Sequence, residues 1–165
     1  QNVSFAVEDK PGRFHFAPDW SRVGADTGPM PRLPDHLDNI EKADAEHPFR
    51  LITPPARNYL NTSCTETPTS RAGERRPEVM LHPDDLVATG LADGQQVRVG
   101  NRRGSLVLHA RAFDGVAGGV AVIESVWPNA AFAEGVGVNL LVGDDPGPPN
   151  GGGVFHDSAV WVRAA

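Results

Sequence analysis

The sequence has little cysteine and little lysine. It holds one cysteine, Cys64, in 165 residues, which excludes an intrachain disulfide and argues against a secreted disulfide scaffold. Two lysines stand against thirteen arginines, and the formal net charge of −6 argues against a surface that binds nucleic-acid phosphates. No run approaches the ~18 apolar residues of a membrane span. We therefore expect neither a nucleic-acid partner nor a membrane segment.

The N-terminus carries little information about location. The chain begins with Gln1 rather than Met, which is typical of a piece of a longer polypeptide, and no charged start followed by an apolar stretch indicates a signal peptide. We expect a cytoplasmic location and leave a periplasmic one open, because a parent chain could carry its own signal.

Recognisable catalytic and metal-binding motifs are also missing from the sequence. There is no HExxH, no P-loop and no GxGxxG between a strand and a helix, and Cys64 has no recognisable catalytic partner. The six histidines show no spacing typical of metal ligands; they are His15, His36, His47, His82, His109 and His156. We predict no catalytic residue and no metal ligand in this chain.

The composition changes near residue 49. Residues 1–48 are rich in Pro, Gly, Asp and His and show one alternating stretch, FHFAPDW at 14–20, so we predict an irregular arm with one strand. From Phe49 onward, short apolar runs alternate with turn signals, which is typical of a β-rich domain over 49–165.

Residues 76–113 show the clearest local pattern. EVMLH predicts a strand, Pro83 suits the first position of a helix, and Gly90 can close that helix in a left-handed conformation. Val97 and Val99 then alternate with polar residues in a further strand. In the strand SLVLHARA, alternation places Leu106, Leu108 and Ala110 towards the core and Val107, His109 and Arg111 on the other face.

The C-terminal part predicts further short strands. VAVIESVW reads as a strand that ends at Trp127 and Pro128, VGVNLLVG at 136–143 as another, and SAVWVR as the last, with a loop at 144–153. Six or so short strands with one or two helices favour a mainly β fold and a small closed barrel.

The stretch LITPPARNYLNTSCTETPTSR at 51–71 concentrates short hydrogen-bonding side chains. Its hydroxyls and amides suit a ligand that is polar along its edge, such as a pterin or guanine, and Arg57 could reach a phosphate. A surface loop whose hydroxyls satisfy its own turns is the alternative. Spacing alone leaves both interpretations open.

Four stretches taken in order resemble a known family. They are LITPPARNYLNTS, HPDDLVATGLADGQQVRVGNRRG, GVAVIESVW and VNLLVGDDP. Over 49–163 the chain resembles the C-terminal molybdopterin-dinucleotide-binding domain of the molybdopterin oxidoreductase family, of the formate dehydrogenase, nitrate reductase or dimethyl sulfoxide reductase type. Two departures stand out: Val142 occupies a position where the family usually has Thr, and Thr-Pro-Pro-Ala-Arg replaces a more frequent Thr-Gly-Arg.

The resemblance implies a fold, a cofactor and a set of contacts. The fold is a six-stranded double-psi β-barrel of the aspartate-decarboxylase-like type. The cofactor is bis(molybdopterin guanine dinucleotide) with molybdenum or tungsten, expected in the full-length enzyme and not in this chain alone. The expected cofactor-binding residues are Thr53, Pro54, Arg57, Asn61, Thr62, Trp127, Pro128 and Asn139.

The resemblance also implies what lies outside the chain. The protein ligand of the metal and any iron–sulfur cluster belong to upstream domains of the same polypeptide, which are the expected partners together with an electron-transfer protein. The full-length protein would perform two-electron redox chemistry, and the isolated domain is not expected to be active.

Two alternative functions stay open. One is a non-catalytic double-psi barrel that serves as an interaction module. The other is a pyruvoyl-type decarboxylase cleaved between Gly104 and Ser105, which an intact mass of 17.6 kDa under denaturing conditions would exclude.

Overall fold

The computed structural model describes residues 36, 38–124, 126–147, 152–156 and 158–165. The strand predicted at 14–20 lies outside these described residues. A small group includes residues 146–147 and 152–153, and a second group comprises residues 39–145 with 154–165. The second group contains the barrel described below.

Short strands dominate the described residues. The strands are β1 Phe49–Ile52, β2 Glu78–Leu81, β3 Gln96–Asn101, β4 Gly104–Ala112, β5 Val120–Ile123, β6 Pro146–Gly147, β7 Gly152–Gly153 and β8 Ser158–Ala164. The helices are α1 Pro68–Glu74 and α2 Pro83–Thr89, with two 3₁₀ helices, Asn129–Ala131 and Val138–Leu141. No helix among the described residues is long and apolar enough to cross a membrane.

Six strands close a barrel in the order β1-β5-β2-β4-β3-β8. β1 pairs with β5, and β2 with β4, in parallel, whereas the other neighbours are antiparallel. Each parallel pair joins strands that are not consecutive in sequence, so the connections cross between them. The mainly β, six-stranded double-psi barrel with short helices is thus confirmed as the fold class.

The pairings define two ends of the barrel. β1 and β5 run parallel and finish at Ile52 and Ile123, so both finish at one end, where antiparallel β2 begins at Glu78. β8 is antiparallel to β1 and begins at that end with Ser158, and β3 reaches it at Asn101. We call the end marked by these five residues the upper end. Helix α2 and residues 113–119 lie at the lower end.

The barrel interior is filled by the side chains that the alternation predicted. Val97, Val99, Leu106, Leu108 and Ala110 are all buried, as expected. The largest fully buried side chains, each worth about 1.5–3 kcal/mol of burial free energy, are Leu51, Leu81, Leu106, Ile123, Leu141, Val79, Val97, Val99 and Val160.

One residue on the outer face of β4 is more buried than its face predicts. Val107, expected on the outer face, is also buried, whereas His109 and Arg111 on the same face are half-buried and exposed. The outer face of β4 is therefore covered at Val107, which alternation alone cannot reveal.

Helix α2 forms as predicted, with Pro83 in its first turn. The ring nitrogen Nδ1 of His82 accepts a hydrogen bond from the backbone N–H of Asp84 at 3.2 Å, which caps the N-terminus. Gly90 ends the helix with φ of 68°, a conformation that glycine adopts without a Cβ penalty.

The strand predicted at 136–143 was wrong, because Val138–Leu141 is a 3₁₀ helix. Val138 and Leu141 are buried and three residues apart, which places them on one face of a helix with three residues per turn. Short apolar runs do not distinguish this arrangement from a buried strand.

The strand predicted to reach Trp127 ends earlier, at Ile123. Beyond Ile123 neither neighbouring strand offers a pairing partner among the described residues. β1 ends at Ile52, which pairs with Val122, and the β2 residue paired with Ile123 is Val79. The chain then leaves the sheet.

The loop predicted at 144–153 contains two short strands instead of none. β6 pairs with β7 through Pro146 and Gly153, and through Gly147 and Gly152. Residues 148–151 between them lie outside the described residues.

Candidate functional site

The loop that follows β1, called here the first loop (residues 53–67), starts at the upper end because β1 finishes there. Thr53 is buried, and its hydroxyl donates to the backbone carbonyl of Phe155 at 3.4 Å. Pro54 is half-buried. The other three predicted contacts in this loop are exposed: Arg57, Asn61 and Thr62.

Asn61 and Thr62 form the tip of a tight turn. The N–H of Ser63 donates to the carbonyl of Leu60 at 2.8 Å, and the N–H of Leu60 donates to the carbonyl of Ser63 at 3.1 Å. Asn61 has φ of 51°, in the left-handed region that Asn tolerates better than most residues. The sequence thus places two polar side chains at an exposed tip.

An aromatic contact joins the first loop to the segment after β5. The rings of Tyr59 and Trp127 meet edge to face, with centroids 5.2 Å apart and planes at 82°. Tyr59 is buried, and Trp127 packs against the barrel core. Burial raises the pKa of Tyr59, and the charge of Glu74 adds to this, so the phenol stays neutral at pH 7.

Helix α1 packs against the same loop. The backbone N–H of Asn58 donates to the carboxylate of Glu74. A Cβ at Gly73 would lie 2.9 Å from Nδ2 of Asn58, so the Asn58 side chain packs closely over this glycine. The first loop is therefore held between α1 and Trp127.

Trp127 and Pro128 lead into the first 3₁₀ helix, which contacts the approach to the second one. The side-chain oxygen of Asn129 occupies space that a Cβ at Gly137 would fill, at 2.4 Å. Pro128 and Asn139 are exposed. Residues 126–142 therefore form a connected border that carries three of the predicted contacts.

The second 3₁₀ helix lies on the turn between β3 and β4. Asn101 Nδ2 donates to the carbonyl of Leu141 at 2.8 Å, and a Cβ at Gly104 would lie 2.7 Å from Leu140 Cδ2. Because that turn lies at the upper end, Asn139 is placed there as well.

All eight predicted contacts therefore belong to segments at the upper end of the barrel. The ring contact of Tyr59 with Trp127 links the two groups of segments. Among the described residues, no hydrogen bond joins the Asn139 side chain to the first loop. Ligand binding by these eight residues stays a prediction.

An open groove of about 470 Å³ lies beside Trp127, along the outer face of β2 and β4. Sequence reasoning did not find it. Burial raises the pKa of Glu124 in this groove, and the charge of Glu74 adds to the effect. The charged lining residues carry both signs: Glu74, Glu78, Asp93, Glu124, Arg75, Arg76 and Arg111.

Sequence reasoning also missed residues that support the predicted contacts. Tyr59 is the one tyrosine in the sequence, which was a usable signal for a special packing role. Asn101 lies in NRRG, at the end of one of the four stretches that carry the resemblance. Glu41 and Arg103, which pair with each other, lie far apart in sequence and gave no signal.

Known proteins resemble this chain in sequence and in fold. Residues 49–159 match the family described as "Molydopterin dinucleotide binding domain". Biotin sulfoxide reductase from Cereibacter sphaeroides is 40% identical over 119 residues, which cover 70% of this chain and 16% of that protein. Dimethyl sulfoxide/trimethylamine N-oxide reductase from Rhodobacter capsulatus is 30% identical over 110 residues, covering 64% of this chain and 13% of that protein.

A solved structure shares the fold. Acetylene hydratase from Pelobacter acetylenicus superposes with a TM-score of 0.62 at 18% identity, over 73% of this chain and 19% of that one. At this identity the likeness concerns the fold alone.

These matches define a cofactor-binding barrel. The chain belongs to the molydopterin dinucleotide binding domain family, as its resemblance predicted. It spans between 13% and 19% of the length of the three proteins just named. Family membership favours neither the interaction module nor the pyruvoyl-type decarboxylase.

Proposed function

We propose that the upper end of the barrel binds molybdopterin guanine dinucleotide as part of a larger molybdenum or tungsten oxidoreductase. One observation carries this proposal: eight residues chosen from sequence, far apart along the chain, belong to segments at one end of a barrel of this family. The lower end holds none of them.

The side chains at the upper end fit such a ligand chemically. Asn61, Thr62 and Asn139 are exposed amides and a hydroxyl, which can both donate to and accept from the polar edges of a pterin or a guanine. Arg57 is exposed and, among the described residues, its guanidinium makes no hydrogen bond or ion pair. An arginine in this state can pair with a pyrophosphate oxygen by two parallel hydrogen bonds.

The proposed roles differ among the eight residues. Arg57 would hold phosphate charge, and Asn61, Thr62 and Asn139 would fix the orientation of the planar rings. Thr53 and Pro54, which are more buried, would shape the start of the first loop, and Trp127 with Pro128 would form its border. When bound, the cofactor supplies the two-electron redox chemistry at its metal, while the protein binds and orients it.

The complete gene product would extend beyond this chain. The named relatives are much longer reductases, which supports upstream domains that contribute the other half of the cofactor site. We infer that the metal ligand and any iron–sulfur cluster belong to those domains, that the cofactor is the bis(molybdopterin guanine dinucleotide) form, and that an electron-transfer protein is a partner. A cytoplasmic location is part of the same proposal.

The test compares single substitutions in the complete gene product. Arg57→Ala removes a charged hydrogen-bonding group, and Asn61→Gly removes the amide while leaving the positive φ free of strain. Each should reduce guanine nucleotide and molybdenum or tungsten per mole of purified protein, by about tenfold for Arg57→Ala, because charged hydrogen bonds contribute about 1.5–3 kcal/mol.

Arg163→Ala is the matched control. Arg163 is also exposed, but it lies near the lower end of the barrel, on β8 opposite Arg98. Cofactor content should match the unchanged protein. Full occupancy in both upper-end variants, or an equal loss in all three, would contradict the proposed site.

A further inference from the structure

The carbonyl of Leu141, at the end of the second 3₁₀ helix, accepts hydrogen bonds from two side chains. Asn101 Nδ2 donates at 2.8 Å and Arg103 Nη1 at 3.2 Å. Asn101 is 8% exposed, and its own side-chain oxygen accepts from the backbone N–H of Arg103 at 2.9 Å. These two residues therefore fix both the turn between β3 and β4 and the helix that lies on it.

Arg103 is itself held by a carboxylate from the N-terminal side of β1. Its Nη2 donates to Glu41 Oε1, and Glu41 Oε2 accepts from the backbone N–H of Ala159 in β8 at 2.8 Å. The side chains of Glu41 and Arg103 are 26% and 23% exposed. Burial raises the pKa of Glu41, but hydrogen bonds from Arg103 and Ala159 outweigh it, so the net pKa lies below the usual value and the pair is charged at pH 7.

The helix held in this way is short, and among the described residues its N-terminus has no side-chain cap. At its ends the N–H of Leu140 donates to the carbonyl of Gly137 at 3.1 Å, and the N–H of Val142 donates to the carbonyl of Asn139 at 3.3 Å. Short 3₁₀ segments have poor hydrogen-bond geometry, so tertiary contacts decide their position.

The contacts of this helix leave one side chain exposed. Val138 and Leu141 are buried and Leu140 is half-buried over Gly104, whereas Asn139 is exposed. Fixing the Leu141 carbonyl therefore fixes the place from which Asn139 is presented.

We propose that Asn101, Arg103 and Glu41, together called the Leu141 clamp, are positioning residues that hold Asn139 in the geometry required for contact with the dinucleotide cofactor. They act through the Leu141 carbonyl and do not contact the ligand. The inference rests on the proposed function, since it assigns a supporting set to one of the proposed contacts.

The first test measures the helix itself, without any ligand. Hydrogen–deuterium exchange is recorded on the cofactor-free complete gene product and on its Arg103→Gln variant. The amides of Leu140 and Val142 should exchange on the order of tenfold faster in the variant, because a charged hydrogen bond that stabilises the closed helix is lost. Amides of 96–100 in β3 should be unchanged.

Arg98→Gln is the matched control for this measurement. Arg98, whose side chain is 34% exposed, also forms an ion pair, with Glu134 at 2.5 Å. Among the described residues its side-chain hydrogen bonds go to Ser105 and Glu134 and none goes to residues 137–142. Exchange at 137–142 should not change. Equal acceleration in both variants, or none in Arg103→Gln, would overturn the positioning role.

The second test is a double-mutant cycle on cofactor retention. Guanine nucleotide per mole of protein after dialysis is measured for Asn139→Ala, Arg103→Gln and the double variant. Arg103→Gln should reduce retention by about fivefold when Asn139 is present and by less than about twofold when it is not, because groups that act as a unit are non-additive. A residue that stabilises the fold alone would give equal factors in both backgrounds.

The outcomes separate the two proposals. If Asn139→Ala leaves retention unchanged, Asn139 is not a cofactor contact, and both the proposed role and its clamp are wrong. If Asn139→Ala lowers nucleotide retention, and Arg103→Gln lowers it by the same factor whether Asn139 is present or replaced by alanine, the proposed function stands and the clamp alone is overturned. If Arg103→Gln does not fold, Arg103→Lys takes its place, because lysine keeps the charge near Glu41 but lacks the planar fork that reaches both partners.

Discussion

Replacing Tyr59 by alanine tests whether its contact with Trp127 keeps the first loop closed. Tyr59 is 6% exposed, and its ring meets Trp127 at 5.2 Å. Loss of a buried aromatic ring costs about 3–5 kcal/mol in a protein core. Taking the lower figure for a surface loop, Tyr59→Ala should raise the population of the open loop by about 100-fold.

Trypsin cleavage after Arg57 measures this opening. Arg57 is exposed, but the nearby residues Ala56 and Tyr59 are buried. The first loop must therefore detach from the rest of the domain before the peptide bond after Arg57 can enter the active site of trypsin. When opening and closing are fast relative to cleavage, the cleavage rate follows the open population. Tyr59→Ala should therefore be cut about 100-fold faster than the unchanged chain.

Two further variants make the test specific. Tyr59→Phe keeps the ring and should stay within about threefold of the unchanged rate. Trp127→Ala should accelerate cleavage on its own and add little in the Tyr59→Ala background, since residues in contact are non-additive. An unchanged rate for Tyr59→Ala, or full additivity with Trp127→Ala, would refute the aromatic contact as the closing element.

Three other substitutions test the barrel and its charges by thermal unfolding. Gly100→Ala places a Cβ 2.4 Å from a ring atom of Trp161, so Tm should fall by about 2–12 °C; an unchanged Tm would show that the wall relaxes freely. Burial raises the pKa of Glu124, so its ionisation favours unfolding. Glu124→Gln should therefore raise Tm at pH 7 but not at about pH 3, where the carboxyl is protonated in both states; an equal rise at both pH values would contradict this. Arg103 lowers the net pKa of Glu41, so the Glu41 carboxylate stabilises the fold above its ordinary pKa, and this stabilisation disappears as pH falls through the lowered pKa. Glu41→Gln should therefore lower Tm at pH 7 and progressively less below about pH 4. A Tm difference that stays constant with pH would contradict the ion pair.

Much of the barrel could be predicted from local patterns. Alternation identified the inward faces of β3 and β4 through Val97, Val99, Leu106 and Leu108, because the side-chain period of a strand is two. Pro83 and Gly90 likewise defined helix α2 through backbone preferences that need no tertiary context. The number and spacing of the short strands already favoured a small closed barrel. Its crossed double-psi connections came from the family resemblance, since periodicity does not specify which strands pair.

The failures share one physical cause, which is that tertiary partners decide the outcome. VGVNLLVG is apolar enough for a strand, but Val138 and Leu141 pack as one face of a 3₁₀ helix whose end is held by Asn101. β5 ends where its neighbours β1 and β2 no longer pair with it, and Trp127 packs against Tyr59 instead of continuing the strand. Glu41 and Arg103 are 62 positions apart in the sequence, so their pairing has no local signature.

The sequence predicted which segments form the candidate site, but it did not predict the contacts that hold those segments in place. The polar composition of the first loop pointed to Arg57, Asn61 and Thr62, and the structure places that loop beside Trp127. Although Tyr59 stands out as the one tyrosine in the sequence, the partners of Tyr59 and Asn101 could not be predicted, because the fold alone brings them near.

The most direct test of the central claim is a footprint of the cofactor on the domain. Hydrogen–deuterium exchange is compared between the complete gene product loaded with cofactor and the same protein produced in cells unable to make it. Binding at the upper end predicts protection of amides in 53–62 and 126–142, and no change in 84–95 and 113–119 at the lower end. Protection confined to the lower end, or to neither end, would contradict the account.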